Sequence, residues 1–243
     1  IRKRGETMTR RWMTILAVSL LSAIPRAHSA GYDFEGCGPE RKVTDSMAHR
    51  DSPSGYSYPK FLKDGERVVF TGQYSSNGRA FRYAVVGLGG GKPGFYAESG
   101  GWSSGFYAAD PAVHAGACSA EFCVADSFGE HQPWQNIILL THRRTGRTVP
   151  VSIGLGNHRS PTITPDGKKI IFSYNSRGRD DAFSLMIANT DGSDAKVLVE
   201  GESRRHVNWL PSVSPDGRFV VYGKEGSYGP GHFPSDIYVK CLR

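Results

Sequence analysis

Three stretches of this chain follow one pattern: Pro59-Lys60-Phe61-Leu62-Lys63-Asp64-Gly65, Pro161-Thr162-Ile163-Thr164-Pro165-Asp166-Gly167 and Pro211-Ser212-Val213-Ser214-Pro215-Asp216-Gly217. A charged residue follows each Asp-Gly, and then Val68-Val69-Phe70, Ile170-Ile171-Phe172 or Val220-Val221-Tyr222, the aromatic falling eleven residues after the proline each time. Asp-Gly closes a tight hairpin because glycine takes positive φ at no steric cost. A β-branched pair ahead of an aromatic fits a buried strand. The unit is therefore a hairpin with a buried second strand, and it recurs.

The spacing extends the pattern. Pro161 and Pro211 are 50 residues apart, and Pro59 and Pro161 are 102 apart, so one further copy is expected between them. Pro111 lies 52 residues after Pro59, with Val113 at the apolar position and Phe122 eleven residues on. This copy lacks Asp-Gly and has gained Cys118 and Cys123, which are expected to staple its two inner strands in place of the turn.

A period of about 50 residues holds four short strands, the anatomy of a propeller blade. In the third blade these are expected at 162–164, 169–174, 184–189 and 195–199, with a turn at Thr190-Asp191-Gly192-Ser193. The second blade offers 136–141 and 148–153, and the first 81–86 and 94–98. The fourth ends after a third strand at 235–241, leaving an open edge, and residues 41–44 are free to supply the missing strand. The fold class expected is all-β: a propeller of about four four-stranded blades, near 57–102, 103–154, 155–205 and 206–243, completed by the N-terminal segment. The alternative is an open fragment of a longer propeller. With 38% hydrophobic residues, 30 glycines and 14 prolines, the composition suits many short strands joined by turns.

The first 30 residues stand apart. Arg10-Arg11 leads into an apolar run from Trp12 to Ile24 and then Ala27-His28-Ser29-Ala30, the order of a secretory signal peptide with cleavage near Ser29 or Ala30. Its 13 apolar residues fall short of the roughly 20 a spanning helix needs, so no membrane span is expected after its removal. The alternative is an uncleaved anchor or a buried helix. Residues 1–7, ahead of Met8, are expected to lie outside the natural product. Residues 1–30 also hold six basic side chains against Glu6, so five of the net +7 charges belong to them and only +2 remains for residues 31–243. Binding to phosphate backbones needs a concentrated basic surface, so nucleic acid is not expected as a partner.

Four cysteines in an exported chain point to disulfides in a periplasmic or secreted protein. Cys118 and Cys123 are neighbours, while Cys37 and Cys241 lie at the two ends of residues 31–243, where a bridge would lock the closing strand onto the fourth blade. Other pairings are open to the sequence.

The core Ser214-Pro215-Asp216-Gly217-Arg218-Phe219-Val220-Val221-Tyr222, with its variant from Thr164 to Phe172, resembles the TolB-type, WD-like propeller repeat. The resemblance runs from Ser57 to the end. Lys63 replaces the family's proline in the first copy, and the Pro111 copy is degenerate. It implies a periplasmic or secreted platform that binds protein or peptide and uses no cofactor, and it does not extend to membership of the Tol complex.

Other motifs lose their force in context. Gly101-Trp102-Ser103-Ser104-Gly105 spells a nucleophile elbow, but no helix start follows it. Gly89-Gly90-Gly91-Lys92-Pro93-Gly94 has glycine-rich phosphate-loop spacing, yet Pro93 stands where a metal-binding hydroxyl belongs and Phe95-Tyr96 continues as strand. The 189–194 turn carries oxygen ligands but no closing glutamate, and a hairpin turn suits it better than a calcium loop. The eight histidines show no metal-ligand spacing.

Two candidate sites remain. The connections between second and third strands carry His131, Trp134, Arg177, Arg179, Tyr228 and His232, an aromatic and basic set suited to a protein partner. The solvated-loop reading of these residues stands beside that one. His158 and His206, each ahead of an inner strand, with Trp209, would line a channel mouth; some sugar-acid lyases with related blades place metal-binding histidines there. The leading expectation is a noncatalytic binding scaffold; the alternative is a carbohydrate-active enzyme or a sugar binder.

Overall fold

The computed structural model describes residues 40–45, 56–74, 81–99, 110–129, 132–151, 153–176, 183–201, 208–225 and 235–242. All belong to one unit, Phe34–Arg243. The strands are β1 (Arg41–Lys42), β2 (Ser57–Phe61), β3 (Arg67–Tyr74), β4 (Phe81–Gly87), β5 (Gly94–Ser99), β6 (Phe122–Gly129), β7 (Gln132–His142), β8 (Thr148–Pro150), β9 (Asn157–Ile163), β10 (Lys169–Asn175), β11 (Ser184–Asn189), β12 (Lys196–Val199), β13 (Asn208–Val213), β14 (Phe219–Glu225) and β15 (Ser235–Cys241). They form four antiparallel sheets in the orders β2-β3-β4-β5, β6-β7-β8, β9-β10-β11-β12 and β13-β14-β15-β1. No helix occurs among the described residues.

The second strands explain why sheets of this sequence pack face to face. Ile170 and Phe172 of β10 join Ile163 against Val124 and Ile138 of the preceding blade. Ile171, on the other face, joins Val213 and Val220 of the following one. Phe61, Val68 and Phe70 meet Phe219, Val221 and Ile237 of the fourth blade, and Val69 meets Val113. The first, third and fourth sheets thus bury both faces around their β-branched second strands.

The expected fourth edge is present. Arg41 pairs with Val239 and Lys42 with Tyr238, so β1 is the outer strand of the fourth sheet. Glu40 accepts from the Tyr222 hydroxyl and from Lys224 Nζ at 2.7 Å. Thr44 donates to Asp236 and receives Ile237 N–H, and Lys42 sits 2.9 Å from the same carboxylate. Among the described residues, no helix is long and apolar enough to cross a membrane.

The degenerate copy is registered differently from expectation. Residues 110–114 run beside the first blade instead: Val113 bridges Leu62, and His114 N–H donates to the Phe61 carbonyl at 2.8 Å. Ser119, not His114, takes the place of Thr164 and Ser214, its N–H bonding Phe122 O as theirs bond Lys169 O and Phe219 O. Cys118 and Cys123 are disulfide-bonded across this shortened hairpin, where other blades pair Phe61 with Val68, Ile163 with Ile170 and Val213 with Val220. The covalent link makes the longer Asp-Gly turn unnecessary, so the repeat starts at Gly116 and the 50-residue spacing from Pro111 was misleading.

The inner strands also run further than expected, because each passes through a bulge at the residue before its proline. Tyr58, Ser160 and Leu210 all adopt left-handed φ, between 51° and 56°, and the ladder register shifts at each. The strand continues beyond, to Ser57, Asn157 and Asn208.

Candidate functional site

The two ends of the inner strands are built differently. At the turn end, each Asp-Gly hairpin is tied internally and packed on its neighbour. Thr164 donates to Asp166 at 2.6 Å while Asp166 accepts Lys168 N–H, and Ser214, Asp216 and Arg218 N–H repeat the arrangement. Glycine is required at these turns: Gly167 has φ 71°, and a Cβ there would lie 3.0 Å from Ser119 Oγ of the second blade. Gly217 sits likewise against Pro165, and Gly65 against Pro215. Hydrogen bonding holds the Asp166 carboxyl below the usual range, Thr164 first and Lys168 N–H next. Burial opposes the same shift at Asp216, where Ser214 and Arg218 prevail.

At the other end, each inner strand starts by bonding the third strand of the preceding blade. Tyr56 N–H donates to Ser235 O at 2.7 Å, and Asn208 N–H to Phe183 O at 3.0 Å. Asn157 Oδ1 accepts Asn136 N–H at 3.0 Å. His158, 4% exposed, lies between the rings of Phe172 and Tyr174, with centroids at 5.6 and 5.2 Å. Burial lowers its pKa, a backbone hydrogen bond to Asn136 opposing, and its Nε2 has no partner among the described residues. Asn136 Oδ1, Asn208 Oδ1 and Trp209 Nε1 are buried and have no partner among the described residues either. No motif marks Asn136 or Asn208 in the sequence; their role depends on the interblade register.

Of the residues singled out from the sequence, His158 and Trp209 lie at this end, on different inner strands. Their registers differ in kind: His158 pairs with Tyr174 and Trp209 with Gly223. Trp134 lies in β7, two residues before Asn136. His131, Arg177, Arg179, His206, Tyr228 and His232 lie outside the described residues, as do the serine motif at 101–105, the signal segment and Cys37. Cys241 is disulfide-bonded. Gly87–Gly94 joins β4 to β5 and Asn189–Asp194 joins β11 to β12, both as hairpin connections. In the latter, Asp191 is engaged by Ser193 N–H and hydroxyl. Among the described residues, no group of three or more His, Cys, Asp or Glu side chains is placed to hold a metal.

The strand order and interblade packing define a β-propeller protein. No protein-family model matches the chain, and no curated protein matches it. Solved structures do: a protein assigned as TolB from Agrobacterium tumefaciens, at 11% identity and TM-score 0.39, covering 84% of this chain and 97% of that one. TolB from Acinetobacter baumannii aligns at 17% identity and TM-score 0.35, over 77% of this chain and 43% of that one. The β-propeller domain of the trilobed protease from Pyrococcus furiosus, described as having an open velcro topology, aligns at 14% identity and TM-score 0.35, over 76% of this chain and 54% of that domain.

Proposed function

We propose that this chain is a noncatalytic, exported propeller that binds a protein or peptide at the end where the inner strands begin. The observation that supports this is the contrast between the two ends. At the turn end the Asp-Gly hairpins are hydrogen-bonded internally, and the cleft of about 430 Å³ between the hairpins of Asp166 and Asp216 is lined by groups already satisfied there. The opposite end carries left-handed bulges at Tyr58, Ser160 and Leu210 and unpartnered atoms at Trp209 and Asn208. Backbone strain and unsatisfied polar groups are costly in a packed protein and are retained where a ligand completes them. In the sequence, Arg177 and Arg179 follow β10, and Tyr228 and His232 follow β14, all four outside the described residues. Aromatic and arginine side chains there suit a protein surface.

A second reading is favoured by one observation: the unpartnered indole N–H of Trp209 suits a sugar hydroxyl. It would make this end a carbohydrate site, with His158 and His206 as the remaining candidates. The two are separated by capture from an envelope or culture-supernatant extract, run beside metal analysis and an oligosaccharide-cleavage assay on the same preparation. A specific co-purifying protein without metal supports the scaffold. Stoichiometric metal, or sugar turnover that is lost in His158→Ala, overturns it.

A further inference from the structure

On the side of the second blade that faces the third, the sheet carries apolar side chains that the core does not fully cover. Phe122 of β6, Leu140 of β7 and Val149 of β8 line one cavity with His142, Thr145 and Arg147. Phe122 pairs with His142, Val124 with Leu140 and Leu140 with Val149, so the three apolar side chains share one face of three adjacent strands. All three are half-buried. The cavity holds about 430 Å³, within the range of small-molecule sites. From the third blade, Met186 packs on the same core cluster as Phe122 and Leu140, and Val197, its partner in the ladder, is 49% exposed.

The polar lining comes from the hairpin that joins β7 to β8. Arg147 N–H donates to Thr145 Oγ1 at 3.3 Å, but its guanidinium has neither hydrogen bond nor ion pair among the described residues. Arg143 of the same hairpin is held by the carbonyls of Ser119 and Ala120, at 3.0 and 3.4 Å. In the first and fourth blades, Arg67 and Arg218 are paired with the aspartates of their own Asp-Gly turns; the second blade has no such turn. The neighbouring carboxylate, Glu121, is exposed and in no ion pair among the described residues. His142 stands edge-on to Phe122, the ring centroids 5.4 Å apart, and its Nδ1 accepts Thr145 N–H at 3.4 Å. A neutral imidazole that accepts at Nδ1 carries its proton on Nε2, which makes that atom a donor. One cavity thus combines an apolar floor with an unpaired cation and a second donor, and it lacks an anion.

We infer that this cavity binds a free aliphatic monocarboxylate. The carboxylate meets the Arg147 guanidinium, whose fork matches it bidentately, and His142 Nε2. The hydrocarbon tail lies on Phe122, Leu140 and Val149, where it removes apolar surface from water. Phe122 and Val149 are two interstrand spacings apart, about 10 Å, which a tail of about eight carbons spans. The site stands independently of whether the loop end binds a protein, since other residues form it, at the turn end of one blade.

Titrating the isotopically labelled full chain with octanoate, followed by nuclear magnetic resonance, tests this. The amide signals of Leu140, Thr145, Arg147 and Val149 should shift saturably. Octan-1-ol has the tail without the charge and should bind roughly tenfold more weakly; acetate has the charge without the tail and should give no saturable shift at the same concentrations. Arg147→Gln, at an exposed position outside the core, should weaken octanoate roughly tenfold and leave octanol unchanged. Arg144→Gln, an exposed neighbour that does not line the cavity, should change neither. Val149→Thr keeps the side-chain volume but adds a hydroxyl, and should weaken octanoate and octanol alike, by roughly fivefold. Octanol binding as tightly as octanoate, equal losses in Arg147→Gln and Arg144→Gln, a response linear in octanoate, or saturable shifts confined to residues outside the cavity would overturn the assignment. A leucine-ended peptide with a free C-terminus that binds more tightly than octanoate would overturn the choice of a free acid.

Discussion

Cys118 is bonded to Cys123 at the inner-hairpin pair that Ile163 and Ile170 occupy in the next blade. The pair encloses a loop two residues shorter than its Asp-Gly counterparts. Closing so short a loop restricts the unfolded chain by about 2 kcal/mol in the chain-entropy treatment. Replacing both cysteines by alanine should therefore lower unfolding stability by about that amount. Urea titration of the double variant measures it, and unchanged stability would show that the hairpin holds without the bridge.

Asp236 anchors β1 to the fourth blade. Its carboxylate is 4% exposed and takes both Thr44 Oγ1 and Lys42 Nζ. Burial works against the Lys42 charge, but the carboxylates of Asp236 and Asp45 outweigh it and raise the pKa. Asp236→Ala leaves the buried Thr44 hydroxyl without its acceptor and Lys42 with Asp45 alone, and should cost about 1–3 kcal/mol. Hydrogen exchange should accelerate first at Lys42, Val43 and Ile237; acceleration elsewhere but not there would contradict the assigned role.

Asp166 and Asp216 carry folded pKa values below their unfolded ones. A depressed carboxyl stabilises the fold above its unfolded pKa of about 4, and this contribution disappears as pH falls through the lower, folded value. Stability should therefore drop below about pH 4, and Asp166→Asn with Asp216→Asn should flatten that acid limb while lowering stability at neutral pH. A limb of unchanged slope in the double variant would place the effect elsewhere.

Lys60 gives the opposite sign. Its folded pKa, near 8, lies below the unfolded value of 10.5, so the unfolded chain binds more protons between these values. Stability should rise with pH across that window, by roughly 1–3 kcal/mol. Lys60→Met should remove the rise and stabilise the protein at pH 7. Unfolding midpoints at pH 7, 8, 9 and 10 decide it; a flat profile in the unaltered chain would mean that the amine is hydrated.

The four-blade architecture was legible because its signal is local. An Asp-Gly hairpin followed by a β-branched pair and an aromatic states the turn, the strand and its burial within a dozen residues. The third strand of the fourth blade and its closing partner near Arg41 followed from counting strands, and both stand where expected. What the sequence could not state was relational. The second blade's register depended on a disulfide that shortens its hairpin, so counting from Pro111 put Val113 in the wrong sheet. Left-handed φ at Tyr58 and Leu210 is disfavoured for such side chains, and only the bulge imposed by the ladder reveals it. The site residues behaved similarly. His158 was visible as a histidine ahead of an inner strand, but its place between Phe172 and Tyr174 was not, and Asn208, Asn136 and Lys60 acquire meaning only from blades that meet in space.

The account centres on the claim that a partner binds the loop end and not the turn end. Comparing partner capture by two variant sets tests it most directly: Trp134→Ala with Arg179→Ala for the loop end, and Lys168→Ala with Lys196→Ala for exposed residues of the turn end. The account predicts at least about a tenfold loss of affinity for the first pair, the size of a binding hot spot, and none for the second. Loss confined to Lys168→Ala with Lys196→Ala, with capture intact in Trp134→Ala with Arg179→Ala, would contradict it.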